Sequence, residues 1–505
     1  MIALRRKEGR QRSEHGGEFR DPAQGRGTHD DERDRMTVKT TQVLVVGGGP
    51  AGATAATLLA REGFDVTLFE RDIFPRYHIG ESLLPSILDV CDLLGVREKM
   101  EAHGFVRKYG GYFSWGRESW PLDFEPLRHP YGFQVVRSEF DQLLLEHAKS
   151  QGVTVVEGAE IREVNFDGDR PRAATWSREI GGAASGSTTF DYLVDASGRA
   201  GLMAVRYRKN RRYQLAFRNV AFWGYWTGAT LMSFAPTGAI AHGSIQDGWL
   251  WGIPLHDGTM SVGVVLDKTT FKEKRRKLGS LTRLYLAAID ECPLISDRVK
   301  SGLLMSPLKI EQDYSYTAES LAGPGYFQIG DAACSIDPLL STGVHLATHA
   351  GVLAAASLAS MLRHEVDEAR ARNFFECSYR RAYVRLMIIV SGLYLFHHGK
   401  QTYFGKARQL TDRDYDDGEE MNEAFRHIVS GLQDQEDSAR TLGELAVAEM
   451  ASHLSPEDAE RDLAMYQVSN AVFQPSSIPP DAANNRLYLR VKPQLGLSAA
   501  GSDPR

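Results

Sequence analysis

Gln42-Val43-Leu44-Val45-Val46-Gly47-Gly48-Gly49-Pro50-Ala51-Gly52 is the stretch that decides the fold. Its first half is a β-branched, apolar run, the pattern of a strand buried in a parallel sheet. Its second half fits G-x-G-x-x-G. Gly47 makes the tight turn, Gly49 lets a pyrophosphate approach the backbone, and Gly52 lets helix pack on strand. A helix from Ala51 to about Glu62 should follow, its positive dipole end facing the phosphates. Phe64–Phe69 reads as the second strand. Glu70 ends that strand at about the 20-residue spacing of the acid that hydrogen-bonds a ribose hydroxyl. Strand, turn, helix and acid together predict a dinucleotide site built from Gly47, Gly49, Pro50, Ala51, Gly52 and Glu70. This unit alone does not choose between NAD and FAD.

The rest of the composition is that of an ordinary globular protein: 505 residues, 42% hydrophobic and 25% charged. The formal net charge of -6 gives no overall pull toward nucleic acid or an anionic membrane. The most concentrated basic run, Arg206–Arg212, reads as a solvated loop. Cys91, Cys292, Cys334 and Cys377 form no C-x-x-C pair, which points to reduced thiols in a cytoplasmic protein and away from a disulfide framework or zinc site. Residues 1–35 lack the apolar core of a secretory signal, and Met36 offers an alternative start. No apolar stretch reads as long and charge-free enough to span a bilayer, and Leu386–Phe396 reads as a short buried helix.

Patterning divides the chain into a disordered extension at 1–38, a core at 39–372, a helical region at 373–480 and an irregular tail at 481–505. Within the core, Tyr131–Val136 and Val153–Glu157 read as strands flanking the helix Glu139–Ser150, and Phe190–Asp195 as another strand. Strand-like segments between about Gln214 and Leu266 predict an antiparallel sheet over the cofactor. Tyr326–Ile329 returns to a parallel strand, and Gly343–Leu362 reads as a helix.

Later motifs select the cofactor. Phe327-Gln328-Ile329-Gly330-Asp331-Ala332-Ala333 resembles the second FAD motif of flavin monooxygenases, which implies that Asp331 meets the ribityl chain. Read without that resemblance, Asp331 is equally an N-cap of the next helix. Asp195-Ala196-Ser197-Gly198 resembles another segment of the same superfamily, and Arg137 stands where an arginine lines the flavin. The implied fold is α/β, an FAD-binding Rossmann-like domain of the flavin monooxygenase type, with an antiparallel sheet over the flavin and a helical C-terminal region.

Pro75-Arg76-Tyr77-His78-Ile79-Gly80-Glu81-Ser82-Leu83-Leu84-Pro85 and Trp249-Leu250-Trp251-Gly252-Ile253-Pro254 resemble flavin-dependent halogenases. The second string matches their W-x-W-x-I-P signature, and the resemblance runs from about Gln42 to Tyr403. It is nearest to halogenases of phenols or pyrroles in antibiotic and related natural-product pathways. It implies that FADH2, O2 and chloride or bromide give a flavin hydroperoxide and then hypohalous acid, which reaches a lysine beside an aromatic substrate. Lys108, in Phe105-Val106-Arg107-Lys108-Tyr109-Gly110-Gly111, falls at that lysine. Glu81, Ser82, Trp249, Trp251, Ile253, Pro254 and Pro338 fall near the flavin or the tunnel. In Pro338-Leu339-Leu340-Ser341-Thr342-Gly343, the backbone around Ser341, Thr342 and Gly343 resembles the halide site, with Gly343 also beside the flavin; a plain helix start is the other reading.

Two departures stand out. Leu340 replaces the glutamate of tryptophan-specific halogenases, and Ser335 replaces a common phenylalanine. His345 and His349 stand four apart on one helix, but without a partner at ligand spacing they read as structural, and no metal is expected. No second dinucleotide fingerprint is visible, so a separate flavin reductase would supply FADH2, and the family often takes substrates tethered to a carrier protein. The rival readings are a flavin aromatic monooxygenase, a prenyl-lipid reductase, and a flavin-binding protein without catalysis.

Overall fold

The computed structural model describes residues 40–179, 184–214, 217–312, 314–395, 426, 429–432, 434 and 487–499. The apolar run that opens the glycine motif is the central strand Thr40–Val46, buried from Val43 to Val46. It pairs in parallel with Val66–Glu70 on one side and Ala184–Asp195 on the other. Thr154–Glu157 and Tyr326–Gln328 extend this parallel sheet outward. The helix Pro50–Arg61 starts at the glycine turn with proline in its first turn, where the missing N–H leaves no helical bond unmade. It packs against the helix Gly343–Leu362. Both carry small residues at the contact; a Cβ on Gly351 would lie 2.8 Å from the Ala51 carbonyl oxygen.

A second sheet lies apart from the first in strand order. Its strands run Leu303–Leu304, Asn219–Thr227, Thr259–Asp267, Gly248–Pro254, Ile240–Ile245, Gly110–Trp115 and Glu118–Asp123. All neighbours are antiparallel except Ile240–Ile245 with Gly110–Trp115, which run parallel, so the expected antiparallel sheet is in fact mixed. That parallel pairing sets His242 beside Phe113.

The structure departs from the sequence reading at several places. The tail expected to be irregular over 481–505 contains a hairpin, Leu487–Arg490 with Gly496–Ala499. Leu487, Leu495 and Leu497 bury its inner face on the helix Gly343–Leu362. Four-residue strands give too little alternation to read without that packing. That same helix is long and apolar enough, by length and composition, to cross a membrane, contrary to the reading that no stretch is; its 18-residue window is wholly buried within the fold. The basic run Arg206–Arg212 is not a free solvated loop. Arg211 lies over the Tyr316 ring, 4.0 Å from its centroid, and donates to the Arg199 and Asp331 carbonyls. Leu386–Leu395 lies in the helix Glu368–Leu395. The extension at 1–38 and nearly all of 396–486 lie outside the described residues.

Candidate active site

The glycine turn is shaped as the sequence requires. Gly47 has φ +109°, and a Cβ there would sit 2.2 Å from the Ala196 carbonyl oxygen. A Cβ on Gly52 would sit 1.9 Å from the Gly47 oxygen. In contrast, a Cβ on Gly49 would meet only the tip of Arg76, at 3.4 Å, so its space opens toward a ligand. The helix that follows has no side-chain cap, which leaves its first N–H groups for an anion. Glu70 accepts from the Gly48 N–H at 2.7 Å and the Asp72 N–H at 2.9 Å. These bonds fix the carboxylate, and a carboxylate has lone pairs to spare for a ribose hydroxyl. Pro50 and Ala51 lie in the first turn of that helix.

Asp331 lies inside the short turn Gly330–Ala332, not at the N-cap of the next helix. Burial raises its pKa against the pull of Arg199, Arg137 and Arg211. The Ser335 hydroxyl also favours its ionised form, which places that departure beside Asp331. Asp195 accepts from the backbone of Ser197 and Met203, so it holds its own loop in shape.

Arg137 makes a bidentate pair with Asp141 at 2.8 and 2.9 Å and donates to the Ile79 and Gly80 carbonyls. It therefore braces the loop that carries Glu81 and Ser82. Glu81 is 3% exposed, and burial pushes its pKa up to about 7. The Tyr225 hydroxyl donates to it at 2.6 Å, and Tyr225 and Tyr77 share a hydrogen bond of 3.0 Å.

Lys108 ends the strand Val106–Lys108 and is 2% exposed. Burial alone lowers its pKa to about 7, so neutral solution holds a large share of free amine. Its ammonium lies over the Phe124 ring, 5.6 Å from the centroid. Strand register places Lys108 opposite Gly132, and Gln134 opposite both Val106 and Ser82. Lys108, Gln134 and Ser82 thus share one face. Ser82 Oγ and Gln134 Oε1 are buried without a hydrogen-bond partner among the described residues, and the Ser261 hydroxyl lies against the Glu81 carboxyl. A polar seam therefore leads from the Glu81 loop toward Lys108.

The halide segment is a tight turn, Pro338–Leu340, followed by Ser341 at φ +60° and the helix Gly343–Leu362. Thr342 holds the N-cap position but makes no cap bond, and its hydroxyl is buried without a partner among the described residues. Thr342 thus starts the helix without capping it, which leaves N–H groups and a hydroxyl open at its N-terminus. A Cβ on Gly343 would meet open space. Asp337 closes the turn by accepting the Leu339 N–H at 3.1 Å.

The W-x-W-x-I-P string lies on the strand Gly248–Pro254. Trp249 and Trp251 are buried 5.9 Å apart, and Ile253 and Pro254 are buried with them. Trp249 donates to the Tyr394 hydroxyl at 2.6 Å, and Tyr394 donates to Asp337 at 2.9 Å. Trp249 is thereby linked to the Pro338–Leu340 turn. Asp337 and Tyr394 escaped the sequence reading, as did His242, because nothing local marks them.

His345 is bonded to Ser86 and to Asp434, each at 2.9 Å, and Arg385 pairs with the same carboxylate. An acid partner does exist, 89 residues away. The neighbouring guanidinium makes this an ion-pair network and a poor cation site.

A glycine cradle, an open helix terminus and a fixed acid at the end of the second strand define a dinucleotide-binding unit, and the same chain carries a buried lysine of lowered pKa. Comparison narrows the class. The family described as tryptophan halogenase matches residues 42–129 and 123–439. A tryptophan 2-halogenase of Chondromyces crocatus is 48% identical over 84% of this chain and 81% of its own length. The flavin-dependent halogenase armH1 of Armillaria mellea is 38% identical, covering 79% of each chain. The solved myxobacterial chondrochloren halogenase, an FAD-dependent enzyme, superposes with a TM-score of 0.66 at 32% identity, covering 81% of this chain and 93% of that one. The chain belongs to the flavin-dependent halogenases, and its cofactor is FAD.

Proposed function

We propose that this enzyme uses FADH2, O2 and chloride or bromide to halogenate an electron-rich aromatic, phenolic precursor, with Lys108 presenting the oxidised halogen to the ring. The observation that carries this reading is a lysine 2% exposed with its pKa lowered to about 7. An ordinary lysine keeps its charge in water. Here burial leaves an amine able to take up or hydrogen-bond an electrophilic halogen.

Bound, reduced FAD supplies the electrons that turn O2 and halide into hypohalous acid. The chain's residues do the rest. Gly47, Gly49, Gly52 and the open helix terminus hold the pyrophosphate, Glu70 the ribose and Asp331 the ribityl chain. Arg137 fixes the loop beside the flavin. Thr342, Gly343 and the Ser341 backbone hold halide. Trp249, through Tyr394 and Asp337, keeps that turn in place. The apolar wall around Lys108 excludes water.

The phenolic substrate is supported by Leu340, buried where a carboxylate would be needed for the tryptophan-specific arrangement. A second reading, attack on the C-2 position of an indole, is favoured by the tryptophan 2-halogenase relative. We also propose a separate flavin reductase, since one dinucleotide fingerprint is present, a substrate carried free or on a carrier protein, and a cytoplasmic location consistent with four free thiols.

The test is incubation with FAD, a flavin reductase, NADH, either halide, and a panel of phenols, pyrroles and tryptophan, free and carrier-bound. Mass spectra should show a halogen isotope pattern on a phenol. The same pattern on tryptophan selects the second reading. Hydroxylated product without halide would sink both.

A further inference from the structure

Trp120, Phe113 and His242 form a stack of three near-parallel rings, with Phe113 5.4 Å from Trp120 and 4.4 Å from His242. A phenylalanine at 242 would complete that stack. The histidine instead buries two ring nitrogens, at 3% exposure; one faces the Leu339 backbone carbonyl at the edge of hydrogen-bond range, and the other has no partner among the described residues. One unpaired buried polar group costs about 1–3 kcal/mol. A native fold that leaves a buried ring nitrogen open needs a polar guest to explain it.

The place of the ring says which guest. The Lys108 charge disfavours the imidazolium of His242, and the hydrogen bond toward the Leu339 backbone favours it. The ring is therefore within reach of both the lysine and the Pro338–Leu340 turn. Gly111 leaves room, since a Cβ there would be 3.9 Å from His242 Cε1. Trp249 stands 6.2 Å away on the wall. Burial and Lys108 together push the imidazole pKa down to about 3, so the ring is neutral at working pH. Neutral imidazole carries one donor and one acceptor nitrogen.

We propose that His242 is a positioning residue that hydrogen-bonds hypohalous acid between the Pro338–Leu340 turn and Lys108, supplying the polar contact that Leu340 cannot. One nitrogen accepts the acid's O–H, which turns the halogen toward the amine. The polar seam of Ser82, Gln134 and Lys108, together with the unpaired Thr342 hydroxyl, marks the rest of the route. This proposal rests on the reading of Lys108 as the acceptor of the oxidant.

The experiment compares the wild type with His242→Phe, His242→Gln and Lys108→Ala. FADH2, O2, bromide and a phenol are supplied, with a soluble 1,3-diketone to trap hypohalous acid that escapes. His242→Phe should keep FAD binding and FADH2 oxidation, lose about tenfold in product per FADH2, and release more trapped acid. His242→Gln, with an amide donor and acceptor, should recover most of the coupling. Wild-type coupling in His242→Phe overturns the proposal, as does a His242→Gln variant no better than His242→Phe. Failure of the lysine reading shows separately, as wild-type halogenation by Lys108→Ala. A second measurement needs no turnover: imidazole nitrogen NMR of the flavin-free protein. One bare and one protonated nitrogen on His242 from pH 5 to 8 supports the proposal, and two protonated nitrogens at pH 6 overturn it.

Discussion

Trp249 and Asp337, on different elements and 88 positions apart in sequence, are joined through a single hydroxyl, that of Tyr394, by bonds of 2.6 and 2.9 Å. Asn219 donates to the same carboxylate at 3.0 Å. Burial raises Asp337 to about 6, so these donors and the Leu339 N–H hold its ionised form at neutral pH. The tryptophan signature is thus part of the support for the Pro338–Leu340 turn, beyond its packing.

Tyr394→Phe tests that link. It leaves the Trp249 N–H without an acceptor and removes one of the two donors to Asp337 Oδ2, which keeps Asn219, a loss of about 1–3 kcal/mol in stability. Because Asp337 shapes the turn through Leu339, the KM for halide should rise severalfold while the Kd for FAD stays the same. Melting curves and halide titrations read both. A stability loss with an unchanged halide KM would mean that the chain of bonds only holds the core together.

Lys108 sets a pH profile. Its pKa is lowered from 10.5 to about 7, so the ammonium dominates below that pH and the amine above it. If the amine takes up halogen, product per FADH2 should climb as pH rises through about 7 and then level. Lys108→Arg, which stays protonated, and Lys108→Ala should each lose roughly 100-fold or more, the scale for one positioned catalytic group. A profile that falls as pH rises would instead assign the ammonium form as a hydrogen-bond donor.

The two glycines Gly49 and Gly52 should fail differently. Gly52→Ala forces a Cβ to within 1.9 Å of the Gly47 oxygen, a clash of backbone with side chain that should lower folded yield. Gly49→Ala meets only the Arg76 tip at 3.4 Å, so the flavin-free protein should melt as the wild type does. Its FAD affinity should fall at least about tenfold, because the pyrophosphate needs that space. Equal FAD affinity in Gly49→Ala would remove the cofactor from that space.

What could be read in advance follows from how local each signal is. The first strand, the glycine turn, its helix and Glu70 fall within one short segment, and each obeys a known periodicity or spacing, so all were legible. Lys108 and the Thr342 turn were legible through resemblance, since no local pattern marks a buried lysine. The Trp249–Tyr394–Asp337 link was not legible, because its residues meet only after the second sheet and the long helix pack together. His242 was hidden for the same reason: its open ring nitrogen is a property of its neighbours. The tail hairpin gains its order from the helix it covers, which short strands cannot announce.

Glu81 gives the last prediction, on stability. Its pKa is raised from 4.5 to about 7 by burial. Between those values it stays protonated in the folded chain while the unfolded chain ionises. Its contribution to stability is therefore fully present below about pH 4.5 and is lost as pH rises through about 7. Glu81→Gln keeps an oxygen to accept the Tyr225 hydroxyl and has no proton to lose. Relative to the wild type, the variant should gain on the order of 3 kcal/mol between pH 4.5 and 8. Urea unfolding of both proteins across that range measures the difference. A gap that stays constant with pH would show that Glu81 is ionised in the folded protein across that range, and that the Tyr225 and Ser261 hydroxyls outweigh its burial.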